Sequence, residues 1–308
     1  MAEEFPPESS RSFQVPRTIQ ALENTVSRQS DSGFRCDCDI HSPYIYADNK
    51  CTEHDDDTIG PFCMFMHPSR NSWGHFAPEL TIAPGKPKLE TLRFEALQLA
   101  KACILCFDRP AQTFLSNMQV GAVYKFMSFP WEHLAGNPGG APSGPDTGNL
   151  QQPIERLIEI LSTIFFFGAI KKFTIRWTSD RNGFAVDRTT HICTIALDAE
   201  RIEAHMRTLP HDAAKAKIGI VSAVLRALLD VFFALLGCTG EKCTTRVSNL
   251  GDNKRARAWQ LVAVKLEEVA PRLLRVGVDL ERWEALAEWM GRHRMLPSNH
   301  DLACYCFG

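Results

Sequence analysis

Residues 218–238 read IGIVSAVLRALLDVFFALLGC and, after a short polar loop, residues 250–260 read LGDNKRARAWQ. From Ile218 to Gly237 the chain is apolar apart from Ser222, Arg226 and Asp230. The two charges stand four apart, so on a helix they share one face, one turn from each other. A lone charge in such a segment would be costly, but an opposite-charge pair at this spacing can neutralise itself and survive burial. The run is just long enough to span a bilayer. Two charges near its middle would cost roughly 2.5–3.5 kcal/mol each on insertion, which favours a buried core helix.

Working outward, the spacing predicts a helix over about 213–236 that stops at Gly237, and another over Lys254–Val269 that Pro271 breaks or kinks. Leu280–Met290 makes a last helix. Upstream, Ile154, Leu157, Ile158, Ile160, Leu161, Ile164 and Phe165 form a wide apolar stripe, giving a helix over Gln152–Ile170 with Pro153 near its first turn. Phe173, Ile175 and Trp177 alternate as a strand should, and Asn182-Gly183 signals a hairpin. A second extended segment, Thr189–Leu197, carries Ile192, Thr194 and Ala196 on one face, and Glu200–Thr208 adds a turn of helix before Pro210. The expected fold class is α+β, with helices packed on a small antiparallel sheet.

Residues 134–150, LAGNPGGAPSGPDTGNL, form a Gly/Pro/Ser linker and the clearest boundary in the chain. The organisation expected is an irregular or disordered Cys/His-containing region over 1–87, a helical segment over 88–133, the linker over 134–150, the main domain over 151–290 and a flexible tail over 291–308. Within 88–133, Cys103-x-x-Cys106 has the spacing of a metal or redox pair, but in an amphipathic run it reads better as two buried small residues. Cys304-x-Cys306 in the tail could bind metal or be an oxidisable end.

A net charge of -2 over 308 residues supplies no global reason to expect nucleic acid or anionic membrane as partner. The start MAEEFPPESS has acidic residues where an export signal needs a basic end and an apolar run, so an intracellular location, cytoplasmic or nuclear, with no membrane partner is expected. Eleven cysteines then read as reduced thiols. Cys36, Cys38, His41, Cys51, His54, Cys63, His67 and His75 fall within forty residues. Cys36-x-Cys38 and Cys51-x-x-His54 could supply two zinc-ligand pairs, although the spacing matches no standard finger.

The order helix, hairpin, long helix, Cys-containing loop and a helix opening near R-A-W-Q resembles the SprT-like zinc metallopeptidase domain, a zincin-type fold, over about residues 151–290. The residues that carry the resemblance are FFFGAIKKFTIRW (165–177), ICTIALD (192–198), VFFALLGC (231–238) and GDNKRARAWQLVAVKLEEVAPRLL (251–274). In active members the long helix carries H-E-x-x-H just before the aromatic pair, and a third histidine comes from an H-G-x-x-W-like motif. Aligned on Phe232-Phe233 and on Ala258-Trp259-Gln260, the first histidine falls on Arg226, the glutamate on Ala227, the second histidine on Asp230 and the third on Arg255.

All four positions depart from the pattern. A hydrolytic zinc site needs three lone-pair ligands and an open fourth position holding water. Arginine offers no lone pair, and alanine cannot take a proton from water. The resemblance therefore implies a catalytically inactive homologue, with no cofactor at the family site, serving as a binding or scaffold module for a protein partner. On this reading Arg226, Asp230 and Arg255 meet where a metal would sit, Asp230 lying between two guanidiniums. The plain alternative is an ordinary surface pair of Arg226 and Asp230, with Arg255 one charge among Lys254 and Arg257. Family analogy alone adds nucleic acid as a partner, through Lys254, Arg255 and Arg257. Competing readings are an active protease drawing ligands from His205, His211 or the N-terminal cluster, and an intracellular interaction protein. Cys238 and Cys243, in the loop after the long helix, read as free thiols.

Overall fold

The computed structural model describes residues 13–31, 96–108, 115–134, 147–179, 183–187, 189–190, 192–237, 255–297 and 299–307. In chain order they form α1 (Ile19–Asp31), α2 (Ala96–Asp108), α3 (Asn117–Met127), a 3-10 turn (Trp131–Leu134), α4 (Thr147–Phe165), β1 (Phe173–Thr178), β2 (Gly183–Asp187), β3 (Ile192–Asp198), α5 (Ala199–Thr208), α6 (Ala213–Leu236), α7 (Arg257–Leu274), α8 (Arg282–His293) and α9 (Asn299–Tyr305). The class is α+β.

Local chemistry sets several of the helix starts. Ser116 and Gln119 form a reciprocal capping box on α3, Asp198 accepts from the Arg201 amide at 3.0 Å to start α5, and Asp212 accepts from the Lys215 amide at 2.9 Å to start α6. Each side chain satisfies an amide that the first helical turn leaves without a partner. Pro271 does not break α7. It lies in the last turn, and the helix ends only at Arg275, in the left-handed region at φ 54°. Pro153 likewise sits inside α4, which begins at Thr147 within the stretch read as linker.

The sheet is mixed, with order β1-β3-β2, where an antiparallel hairpin of two strands was expected. β3 pairs in parallel with β1, Phe173 opposite Cys193, and antiparallel with β2, Asp187 opposite Ile192. The turn that matters is therefore the one after Asp187, whose carboxylate accepts from the Thr189 amide at 2.8 Å and from the Thr190 hydroxyl at 2.7 Å. β3 is the most apolar strand and takes the middle. Its packing face is Cys193, Ile195 and Leu197, all fully buried, while Ile192 on the opposite face is 39 % exposed.

α6 is the axis of the fold. It packs against β2 and β3, against α5, and against α2, α4 and α7. From Ile220 onward every residue of it is buried. This is why a helix long and apolar enough to cross a membrane has no apolar face left over: 94 % of its most apolar window is inside the fold. At its start Gly219 lies directly beneath the His205 ring, so close that a β-carbon there would fall 2.3 Å from ring atoms.

The rest of the described chain joins the same core. α2 packs on α7 and α3 on α4, so the 88–133 segment shares its hydrophobic cluster with 151–290. α1, within the region expected to be irregular, packs on α9, within the tail expected to be flexible. Leu22 and Tyr305 are both buried in that common core. Amphipathic segments this short gain their stability from the surface they cover rather than from their own propensity.

Candidate functional site

Arg226, Ala227, Asp230 and Arg255, the four residues singled out from the sequence, all lie in the interior. α6 turns Arg226, Ala227 and Asp230 inward, with 7 %, 1 % and 1 % of their surface exposed. Arg255, at the approach to α7, is also 7 % exposed. It grips Asp230 with two nitrogens: Nη2 donates to Oδ2 at 2.7 Å and Nε to Oδ1 at 3.3 Å. Trp259, in the first turn of α7, donates its indole N–H to the same Oδ1 at 2.8 Å. Both oxygens of Asp230 are thus occupied, in the two-nitrogen geometry that makes arginine–carboxylate pairs strong.

Arg226 does not complete the expected sandwich. Its guanidinium turns to Glu281, in the left-handed region at φ 53° just ahead of α8, and pairs there with the carboxylate that Arg201 of α5 also binds. The Nε of Arg226 is buried without a hydrogen-bond partner. Burial, and then the neighbouring positive charge of Arg255, pull the Arg226 pKa down to about 10, although Asp230 works in the opposite direction. For Arg255 desolvation also pulls down, but Asp230 and Glu288 outweigh it and the net shift is upward. The difference has a geometric cause: Arg255 owns Asp230, and Arg226 only feels it.

The cluster continues through α8. Glu288 accepts from Arg255 at 3.4 Å and from Arg292 at 3.1 Å. The outcome is a chain of alternating charge, Arg201–Glu281–Arg226 beside Asp230–Arg255–Glu288–Arg292, that links α5, α6 and α8 with the approach to α7. Glu281, Glu288 and Arg201 were not legible as partners from the sequence. Helical spacing offers no signal for the two glutamates together, because Glu288 lies on α8 while Glu281 sits ahead of it in the left-handed region.

This donor set does not fit a metal ion. Of its three charged side chains, Arg226 and Arg255 are guanidiniums without lone pairs, and Asp230 is a carboxylate already committed to Arg255 and Trp259. Among the described residues no group of three His, Cys, Asp or Glu side chains is arranged to hold a metal. His205 is half-buried with an unpartnered Nε2, and burial, then Arg201 and Lys215, lower its pKa. His211 is exposed. Cys36, Cys38, Cys51 and His54, with the remaining N-terminal Cys and His residues and with Cys238 and Cys243, lie outside the described residues.

Cys103 is buried and its thiol pushed well up, first by desolvation and then by Cys106, as befits a core side chain. Cys106 sits half-buried beside it. Arg255 and Arg257 are not surface cations. Arg257 is 2 % exposed and pairs with Asp301 of α9 through two nitrogens, at 2.5 and 3.0 Å. Neither can present a free charge to a phosphate backbone, which removes two of the three basic residues that pointed to nucleic acid.

No family model, curated protein or solved structure matches the chain.

Proposed function

We propose that residues 151–290 form an SprT-like, zincin-type scaffold whose metal and base positions have been replaced by a charge network, and that the protein works as a non-catalytic binding or scaffold module. One observation carries this reading. Three positions assigned from separate motifs, Arg226 and Asp230 on one helix and Arg255 ahead of another, converge in one buried cluster, with Asp230 and Arg255 2.7 Å apart. Independent surface residues would have no reason to meet there. Alanine at 227 leaves no proton acceptor beside them.

The replacement has a physical logic. A bound cation ties two helices together through its ligands, and removing it leaves inward-facing polar groups that need other partners. A carboxylate held by arginine and indole N–H ties α6 to α7 in the same way, at the cost of desolvating two charges. Such a site stabilises or specifies a shape; it has no group able to generate hydroxide.

The test has two arms. Wild-type protein should hydrolyse neither casein nor peptide substrates, and should carry no zinc that is lost in Asp230→Ala. Hydrolysis abolished by a chelator, or zinc lost in that variant, would overturn the non-catalytic assignment. The triple variant Arg226→His/Asp230→His/Arg255→His, checked for folding by circular dichroism, should bind cobalt(II) with the visible spectrum of a tetrahedral site. A folded triple variant that binds no cobalt would remove the zincin part of the reading.

A further inference from the structure

A groove of about 320 Å³ opens where the start of α6 meets the end of α7, two turns along α6 from the charge cluster, and owes nothing to the metal-site reading. Phe126, Met127, Trp131, Ile218, Val276 and Gly277 give it an apolar lining, and Lys217 and Arg275 add two cations. Trp131 and Phe126 are nearly buried, whereas Met127 is 50 % and Ile218 38 % exposed. Two large apolar side chains thus face solvent above an aromatic floor. Lys217 places its ammonium 5.3 Å from the Trp131 ring centre.

The charges are as one-sided as the lining. Among the described residues no carboxylate lines the groove, and neither Lys217 nor Arg275 forms an ion pair. Arg275 holds φ at 54°, where glycine is the usual helix terminator and an L-residue is strained. Strain kept at a residue that supplies a cation to a groove points to a use for that cation. The exposed apolar surface also runs on along α3 to Tyr124, 72 % exposed and one turn before Met127, which is longer than a compact small molecule would cover.

We propose that this groove docks a short acidic–apolar peptide segment of a protein partner, an apolar side chain lying over Trp131 between Met127 and Ile218 and carboxylates meeting Lys217 and Arg275. Apolar anchoring gives the affinity, and the unpaired cations select an acidic sequence. A basic segment would set like charges against one another in the same place.

Two variants keep the test clean. Lys217→Glu/Arg275→Glu reverses the charge, Lys217 being half-buried and Arg275 exposed. Gly277→Phe fills the groove, and a β-carbon at Gly277 meets nothing within 4 Å, so the ring can enter without displacing the fold. Both should melt within a few degrees of wild type. A phage-displayed library of random peptides of about twelve residues would be selected on the full chain, with counter-selection on Gly277→Phe. The expected result is enrichment of peptides that combine acidic with large apolar residues. They should lose at least about tenfold in affinity on either variant and bind more weakly at high salt. No enrichment over the counter-selected protein, enriched peptides without net negative charge, or unchanged affinity for Lys217→Glu/Arg275→Glu would each overturn the proposal.

Discussion

Truncating Asp230 to alanine should be among the most damaging single changes in the protein, and the structure says by how much. The carboxylate is 1 % exposed and accepts from Arg255 at 2.7 and 3.3 Å and from the Trp259 indole at 2.8 Å. Its loss leaves a guanidinium 7 % exposed, with Glu288 at 3.4 Å as a weaker carboxylate partner, and an orphaned indole N–H. Breaking a buried pair costs about 3–5 kcal/mol, and an unsatisfied buried donor about 1–3 kcal/mol. Glu288 offsets part of this, so about 3–5 kcal/mol is expected in all. At about 2–4 °C per kcal/mol for a domain of this size, the melting temperature should fall by about 6–20 °C. The assay is urea unfolding followed by far-ultraviolet circular dichroism, with Asp230→Ala, Arg255→Met and the double variant side by side. The double variant should recover at least about half of the single-variant loss, because no charge is then left buried alone. A loss below about 0.5 kcal/mol for Asp230→Ala, or a double variant equal to the sum of the singles, would refute the buried pair.

Arg226 should behave oppositely: its charge is opposed by Arg255 and Glu281 keeps Arg201, so Arg226→Met should cost less than about 1.5 kcal/mol in the same unfolding assay. Gly219→Ala should destabilise by about 1–3 kcal/mol because its β-carbon meets the His205 ring at 2.3 Å, and Gly219→Ala/His205→Ala should recover most of that loss. Asp301→Ala removes the tie between α9 and the buried Arg257 and should release α9, read as new protease cleavage near residue 299 while the rest of the chain stays resistant. Burial, Arg201 and Lys215 hold the folded-state pKa of His205 below its unfolded value near 6.5, so on acidification the unfolded chain takes up this proton first. The contribution of His205 is then fully present above about pH 6.5 and lost as the pH falls from there toward the folded-state value. His205→Gln should therefore flatten the dependence of melting temperature on pH between about 7 and 5.

Much of the architecture is present in local sequence. The 3.6-residue recurrence of apolar side chains over 154–165 and 220–236, with Gly237 after the latter, places α6 closely and identifies α4, although α4 starts and ends five residues earlier than expected. A residue as short-ranged as Asp198 announces the turn from β3 into α5 by capping it. Strand partners are a different matter. Alternation in FTIRW and ICTIALD fixes two strands, but whether they pair directly, and in which sense, depends on what the intervening residues do. Here GFAVD takes the outer antiparallel place and leaves β1 and β3 parallel. α1 and α9 were invisible for a related reason: they pack on each other, and α9 is also held by the buried pair of Asp301 with Arg257 of α7, contacts that neither segment encodes alone.

The same division runs through the site. Sequence alone determined that Arg226 and Asp230 share a helix face, favoured burial of the segment bearing them without settling it, and determined that no residue at 226, 227 or 255 can act as ligand or base, because those statements rest on helical periodicity, hydrophobicity and side-chain chemistry. Only the tertiary structure decided who pairs with whom. Arg226 was the sequence neighbour of Asp230, yet Asp230 is held by Arg255 and Trp259 while Arg226 is drawn to Glu281. Side chains four apart on one helix run nearly side by side. A guanidinium arriving from another element can meet a carboxylate with two nitrogens at once, and in a buried site that geometry prevails.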